Sequence, residues 1–390
     1  MENKLTRLHI RNYHSLADVT IETHALNVLF GPNGAGKSKL LDAIGFMNDC
    51  MARGVDESSA YRMGVLWDRA DKGANISIKF ETDLVEYEVL FRFSFGKIEP
   101  FPGEILYSKA NQVCLIDRKM SSDKAIFLLE SPKIMTLRDP EKLALTKYLG
   151  LEHNYPEVTE LDKLLGSVHF YHSRSINLSQ LKNHGSETSH HLLLWSQGQN
   201  LWSVLRNLHD KRAIDNGYDT IISLMRKSFL HFRELVFTQT ALNSVYGSFV
   251  EAGRLQPIPF ASMSDGHLQM LILLTALFAE GPNKEALILF DEPEISLHPY
   301  ALAIFAEAVK LATEEWHKQV FIATHSPVLI SQFASPDILA VQIDSLGQTI
   351  ITRLSEMDGL TDLLEEYAVG SLYMAEMIAP QSQFSFEESK

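Results

Sequence analysis

Leu26, Val28, Leu29 and Phe30 form a short, nearly unbroken apolar run. A run of that length between turn residues reads as a strand buried on both faces. A glycine-rich turn follows, and Leu40, Leu41, Ile44 and Met47 then recur at the spacing of one helix face. Two short strands are expected ahead of it, Leu5–Ile10 and Ala17–Ile21. From Asn75 to Asp117 apolar and polar residues alternate, as in Ile76/Ile78/Phe80 and Tyr87/Val89/Phe91/Phe93. That pattern predicts antiparallel β-structure, with turns at Asp83, Gly96 and Gly103.

The middle reads mainly as helix, over Glu141–Leu149, Glu160–Leu165 and Leu192–Leu208, with Ser167–Tyr171 as an intervening strand. After Ser262 helices and apolar strands alternate: Leu268–Ala279, Ala286–Phe290, Tyr300–Thr313 and Gln319–Thr324. Such alternation builds a parallel sheet covered on both faces. The whole predicts an α/β fold with a mixed, largely parallel central sheet, an antiparallel β subdomain and a mainly helical insertion. Its expected divisions are an N-terminal lobe (1–172), the insertion (173–261) and a C-terminal lobe (262–390). The last ten residues, QSQFSFEESK, read as a frayed polar tail.

Composition narrows the function classes. With 45% hydrophobic and 22% charged residues over 390 positions, the chain has the makeup of a soluble globular protein. The longest apolar stretch, Leu268–Ala279, is interrupted by Gln269 and Thr275 and is too short to span a bilayer. Cys50 and Cys114 form no CxxC pair, and the opening MENKLTRLHI lacks the apolar run of a secretory signal. A cytoplasmic protein without membrane contact is expected. The formal charge of −14 argues against coating nucleic acid through bulk charge, but leaves a local basic patch open.

Four motifs carry chemistry. Gly31-Pro32-Asn33-Gly34-Ala35-Gly36-Lys37-Ser38 matches the P-loop pattern, and it lies between a predicted strand and a predicted helix as that motif requires. Its glycines let backbone N–H groups cradle phosphates, Lys37 reaches the β/γ-phosphates, and the Ser38 hydroxyl can ligate Mg²⁺. In ALILFDEPEISLHP (Ala286–Pro299) an apolar strand delivers Asp291 and Glu292 to the end where such sheets bind ligands. Asp291 suits a metal-holding acid and Glu292 a carboxylate that polarises the attacking water. In FIATHSP (Phe321–Pro327) a second strand ends at His325, whose imidazole can bond a γ-phosphate oxygen or that water. Lastly, Ser264, Asp265 and Gly266 precede an apolar helix, either as an anion-facing N-terminus or as a plain helix cap.

The order of these motifs resembles the ABC-type ATPase heads of the SMC/RecF/overcoming-lysogenization-defect branch, grouped with the AAA-family ATPases. The resemblance is carried by LTRLHIRNYHSLADVTIETHALNVLFGPNGAGKSKLLDAI, by the SDG-helix, and by DEPEISLHP followed by THSP. It implies a P-loop NTPase fold, with ATP and Mg²⁺ as cofactors. It also implies that Met263–His267 is the signature motif usually written LSGGQ, that Ser296–Pro299 is the D-loop and that His325 is the switch histidine. Lys39 stands where many relatives reach the α-phosphate with a second hydroxyl. Asp265 and His267 replace a glycine and a glutamine of the signature, and Gln180 is a candidate for the Q-loop glutamine.

In this class the signature of one subunit completes the P-loop site of another, so a homodimer or higher oligomer closed around ATP is implied. Stand-alone heads of this kind resemble ATPase subunits of bacterial anti-phage operons, where the effector is a separate protein, a nuclease or toxin. Only 65 residues follow His325, fewer than a typical domain of about 100–150, so a fused nuclease domain is not expected. Alternatives are a DNA-binding repair ATPase of RecF type, a transporter's nucleotide-binding subunit, and a nucleotide-gated scaffold with negligible turnover. Two weaker signals read as structural: the histidines His169, His172, His184, His190 and His191, and a basic amphipathic helix through Arg226, Lys227, His231 and Arg233.

Overall fold

The computed structural model describes residues 4–152, 155–241, 243–281, 284–357, 367–375 and 377–379. The polar tail read from QSQFSFEESK lies outside them. The centre is a six-stranded sheet in the order Val168–His172, Ala286–Asp291, Lys318–Thr324, Leu26–Phe30, Ile338–Ile343, Thr349–Arg353. The first five run parallel, and Thr349–Arg353 is antiparallel to its neighbour. Leu26–Phe30, Ala286–Asp291 and Lys318–Thr324 are buried along their whole lengths, as their apolar runs require.

Successive side chains of a strand face opposite sides of its sheet, so each central strand feeds two cores. Val28, Phe30, Ile288, Phe290, Val320 and Ile322 enter one, packed by the helices Leu201–Lys211, Gly217–Ser228, Asp265–Phe278 and Pro299–Glu315. Leu29, Leu287, Leu289, Phe321 and Ala323 enter the other, with the P-loop helix Lys37–Arg53 and a nine-stranded antiparallel sheet. Two buried polar residues break the apolar run of the histidine strand. The Gln319 amide donates to the Leu5 and His24 carbonyls, and Lys318 Nζ donates to Gly281 O at 3.1 Å.

The antiparallel sheet runs from an edge at Leu16–Glu22 to one at Pro132–Thr136 and exceeds the expected extent. Gly103 opens a strand rather than a turn, and the hairpin Lys124–Leu128/Pro132–Thr136 extends the sheet beyond Asp117. That hairpin is an outer edge with Ile134 largely exposed, so it lacks the alternating apolar signature of a half-buried strand.

The insertion also departs from expectation in two places. The helix expected over Leu192–Leu208 begins at Leu201, because Asn200 ties the preceding loop through Trp195 N–H and Leu193 O. The basic run is not one helix: Gly217–Ser228 ends at Ser228, and Phe232 opens the hairpin Phe232–Ala241/Ser244–Glu251. Packing selects the hairpin. Gly247 lies against Trp202, where an added Cβ would sit 2.3 Å from the indole.

A buried ion pair between two strands of the antiparallel sheet also ties the sheet to the helix that follows it. Arg118 and Glu104 meet at 3.1 Å with both side chains fully buried. The Arg118 guanidinium also donates to the carbonyls of Ser122, Pro140 and Lys142. Glu104 accepts from Tyr87 OH at 2.9 Å and from the Ala144 and Leu145 N–H groups. Those amides open the helix Ala144–Leu149, which has no side-chain cap of its own, so the carboxylate satisfies its free donors. Truncation at Glu104 strands a buried guanidinium. Glu104→Ala is therefore expected to cost about 3–5 kcal/mol in a denaturant-unfolding measurement.

A second junction makes stability depend on pH. Glu280 contacts His169 at 3.0 Å and also pairs with Lys284. Burial opposes its ionisation, but these partners outweigh burial and hold the carboxyl down to about 2, against an ordinary value of 4.5. The stabilisation is present above about 4.5 and is lost as pH falls towards about 2. Thermal melts should show Glu280→Gln less stable than wild type at pH 7, with the gap narrowing below pH 4.5. A gap constant from pH 7 to 3 would overturn this assignment.

Candidate functional site

The P-loop leaves its strand through Gly31 and enters its helix at Gly36. A Cβ on Gly31 would lie 2.0 Å from Val341 O, and one on Gly36 2.2 Å from Thr349 Oγ1, so both positions demand glycine. Gly36 caps the helix without a side-chain bond, which leaves the first N–H groups for an anion. Asn33, Gly34, Ser38 and Lys39 are exposed along the loop, Pro32 is half-buried, and Ala35, Gly36 and Lys37 are buried. Lys37 Nζ donates to Gly31 O at 2.8 Å and Pro32 O at 2.9 Å. Burial brings this ammonium down to about 8 against the opposing pull of Asp291, Glu292 and Glu294.

The histidine strand lies between the P-loop strand and the acid strand, so all three end at one sheet edge. Ser38 Oγ donates to Asp291 Oδ1 at 2.9 Å. Burial raises the Asp291 carboxyl despite that bond. Glu292 follows in a left-handed conformation (φ 53°), with its N–H bonded to Ala323 O of the neighbouring strand. His325 Nδ1 lies 3.3 Å from Lys37 Nζ, and its Nε2 lies 3.6 Å from Glu292 Oε1. Burial and then the Lys37 charge lower the imidazole's pKa. A neutral ring accepting at Nδ1 carries its proton on Nε2, towards Glu292.

Ser264, Asp265 and Gly266 open the helix Asp265–Phe278. Ser264 is its N-cap, accepting the His267 N–H at 3.3 Å, and Asp265 pairs with Lys182 at 2.5 Å. Gly266 packs on the acid loop: an added Cβ would lie 2.7 Å from Ser296 O. His267 stacks on Phe229 with centroids 3.8 Å apart. Among the described residues no hydrogen bond or ion pair joins Ser264–Gly266 to the P-loop of the same chain. Gln180 bonds locally with Asn177 on its own helix, and no such bond joins it to the P-loop or the acids.

The sequence model of the family described as “AAA domain, putative AbiEii toxin, Type IV TA system” matches residues 26–331, from the P-loop strand to just beyond His325. The chain belongs to this AAA-domain family. Its parallel sheet, with a glycine-rich loop between the strand Leu26–Phe30 and the helix Lys37–Arg53, is a P-loop NTPase fold. Protein ea59 of Escherichia phage lambda is 37% identical over 70 residues, 18% of this chain and only 13% of the phage protein's own length. Among solved structures, the SMC head bound to the C-winged helix domain of ScpA aligns over 89% of this chain and 97% of its own, with 14% identity and a TM-score of 0.49. The SMC head domain from Thermotoga maritima aligns over 90% and 98%, with 13% identity and a TM-score of 0.46. Such distant likenesses bear on neither activity nor partners.

Three contributors to this AAA domain's site escaped sequence reasoning. Arg174, just past the edge strand, donates to Glu292 Oε2 at 2.6 Å. Glu294 accepts from Thr324 Oγ1 and the His325 N–H, both at 2.8 Å, and so ties the acid loop to the histidine strand. His172 ends the edge strand 3.7 Å from Asp291. Only Glu294 had a local signal, standing inside DEPE; the others depend on strand order. The basic run is largely neutralised, Arg226 by Glu234 and Lys227 by Glu307. Among the described residues no helix is long and apolar enough to cross a membrane.

Proposed function

We propose that this AAA domain binds ATP at Gly31–Lys39 and hydrolyses it to ADP and phosphate. One observation carries the reading: Lys37, Ser38, Asp291, Glu292 and His325, drawn from three parallel strands, meet at one sheet edge. Lys37 exchanges its carbonyl partners for β/γ-phosphate oxygens. Glu292 polarises the attacking water, and His325 donates from Nε2 to a γ-phosphate oxygen. Arg174 orients the Glu292 carboxylate.

The hydroxyl–carboxylate pair of Ser38 and Asp291 fits a hard divalent cation, and burial leaves the carboxylate short of the solvation such a cation would replace. Mg²⁺ held there with ATP supplies charge for the triphosphate.

The start of the signature helix is exposed at Ser264 and Asp265, and among the described residues it shares no hydrogen bond or ion pair with its own P-loop. This supports a second copy's triphosphate as the partner of Ser264, Asp265 and Gly266, and thus a dimer closed around two ATP molecules. Opening after hydrolysis passes to a separate effector, a nuclease or toxin, in anti-phage defence.

Light scattering with phosphate release tests the reading. ATP and Mg²⁺ should convert monomer to dimer, and phosphate should appear at a rate above background. Monomer under all nucleotide conditions overturns the dimer. ATP-dependent dimer with background turnover would make this a nucleotide-gated scaffold instead.

A further inference from the structure

The edge strand Val168–His172 pairs with the acid strand in parallel register, setting His172 opposite Asp291. The two residues stand at ion-pair distance but share no hydrogen bond. His172 Nδ1 is shielded from solvent and has no hydrogen-bond partner among the described residues. It lies 3.7 Å from Asp291 Oδ2, beyond hydrogen-bond reach, while Asp291 Oδ1 is already engaged by Ser38. A buried polar atom without a partner costs about 1–3 kcal/mol, so a ring nitrogen left in this position calls for a third body between it and the carboxylate. A cation serves both, because an imidazole lone pair and a carboxylate lone pair can share one.

Resting on the ATP-site reading above, we propose that His172 gives a nitrogen ligand to the metal held by Ser38, Asp291 and the nucleotide phosphates, so that the site favours Mn²⁺ over Mg²⁺. Mg²⁺ is served by oxygen, whereas imidazole suits first-row transition metals. Among the described residues no three His, Cys, Asp or Glu side chains gather to hold an ion alone. The site is therefore half protein and half phosphate, and it should fill only with nucleotide present.

The test uses the full chain labelled with [¹⁵N]histidine, Mn²⁺ and a non-hydrolysable ATP analogue, read by pulsed electron paramagnetic resonance. A ¹⁵N coupling to Mn²⁺ that is absent in His172→Gln supports the assignment. Nucleotide titrations give a second readout. His172→Gln should weaken the Mn²⁺–nucleotide complex about tenfold and leave the Mg²⁺ complex within about twofold. If Mn²⁺–nucleotide binds without histidine coupling, or the coupling persists in His172→Gln, the nitrogen ligand is overturned and the ATP site stands. If wild type binds no nucleotide with either metal, the ATP-site reading itself fails.

Discussion

Lys37→Ala should lower ATP affinity at least about a hundredfold while leaving the fold intact. The ammonium now makes two short bonds to P-loop carbonyls, a geometry that exchanges directly for two phosphate oxygens. Two charge-assisted bonds at about 1.5 kcal/mol each give about 3 kcal/mol, or about two decades in affinity. The variant should not unfold, because burial already disfavours the Lys37 charge and brings it down to about 8. Removing such a group relieves a desolvation cost rather than a stabilising pair. A fluorescent-nucleotide titration with a thermal melt separates these effects: affinity collapses while the melting temperature holds or rises. A variant that binds ATP within about threefold of wild type would remove Lys37 from the site.

Glu292→Gln should act on the other side of the reaction. Losing the carboxylate that polarises the water is expected to lower turnover about 10²–10⁴-fold with ATP binding retained. The ATP-bound dimer should then accumulate, because the step that opens it is blocked. Glutamine keeps the size and an oxygen for Arg174, and Arg174 is largely exposed, so losing that ion pair costs little stability. Single-turnover phosphate release and light scattering read the two effects separately. Unchanged turnover would assign the water to another group. Glu294 is then the next to test, because one of its oxygens braces Thr324 and His325 while the other has no hydrogen-bond partner among the described residues.

The two losses differ in kind, and that difference reflects how each residue was legible. Lys37 belongs to a motif whose chemistry is local, since glycines, ammonium and hydroxyl lie within eight consecutive residues. Glu292 was legible as the residue after an apolar strand. Its partners were not. Arg174 lies 118 residues away in sequence, and only the pairing of Val168–His172 with Ala286–Asp291 brings it to 2.6 Å. The same pairing creates the His172–Asp291 contact, which five histidines read along the sequence could not distinguish from surface scatter.

The antiparallel region divides in the same way. Alternation announced Asn75–Glu81 and Val85–Ser94, because their apolar faces are buried. It was silent on Pro132–Thr136, an edge strand held by backbone bonds to one neighbour. Local pattern also misread the basic run as helix, because apolar spacing through Phe229 and Phe232 suits a helix face or a helix followed by a strand. The hairpin that follows packs Gly247 against Trp202, a long-range contact that local spacing does not announce.

Acting alone, then, the sequence determined the P-loop, the acid pair, the position of His325 at a strand end and the α/β class, since each is written in residues within one turn or one strand. Tertiary structure decided which strands are neighbours: the histidine strand between P-loop and acid strands, and the edge strand beyond them. Strand order is set by burying both faces of the sheet in two cores at once, a global condition that no local spacing encodes. That order brings Lys37, His325, Glu292 and Arg174 into one continuous set of contacts.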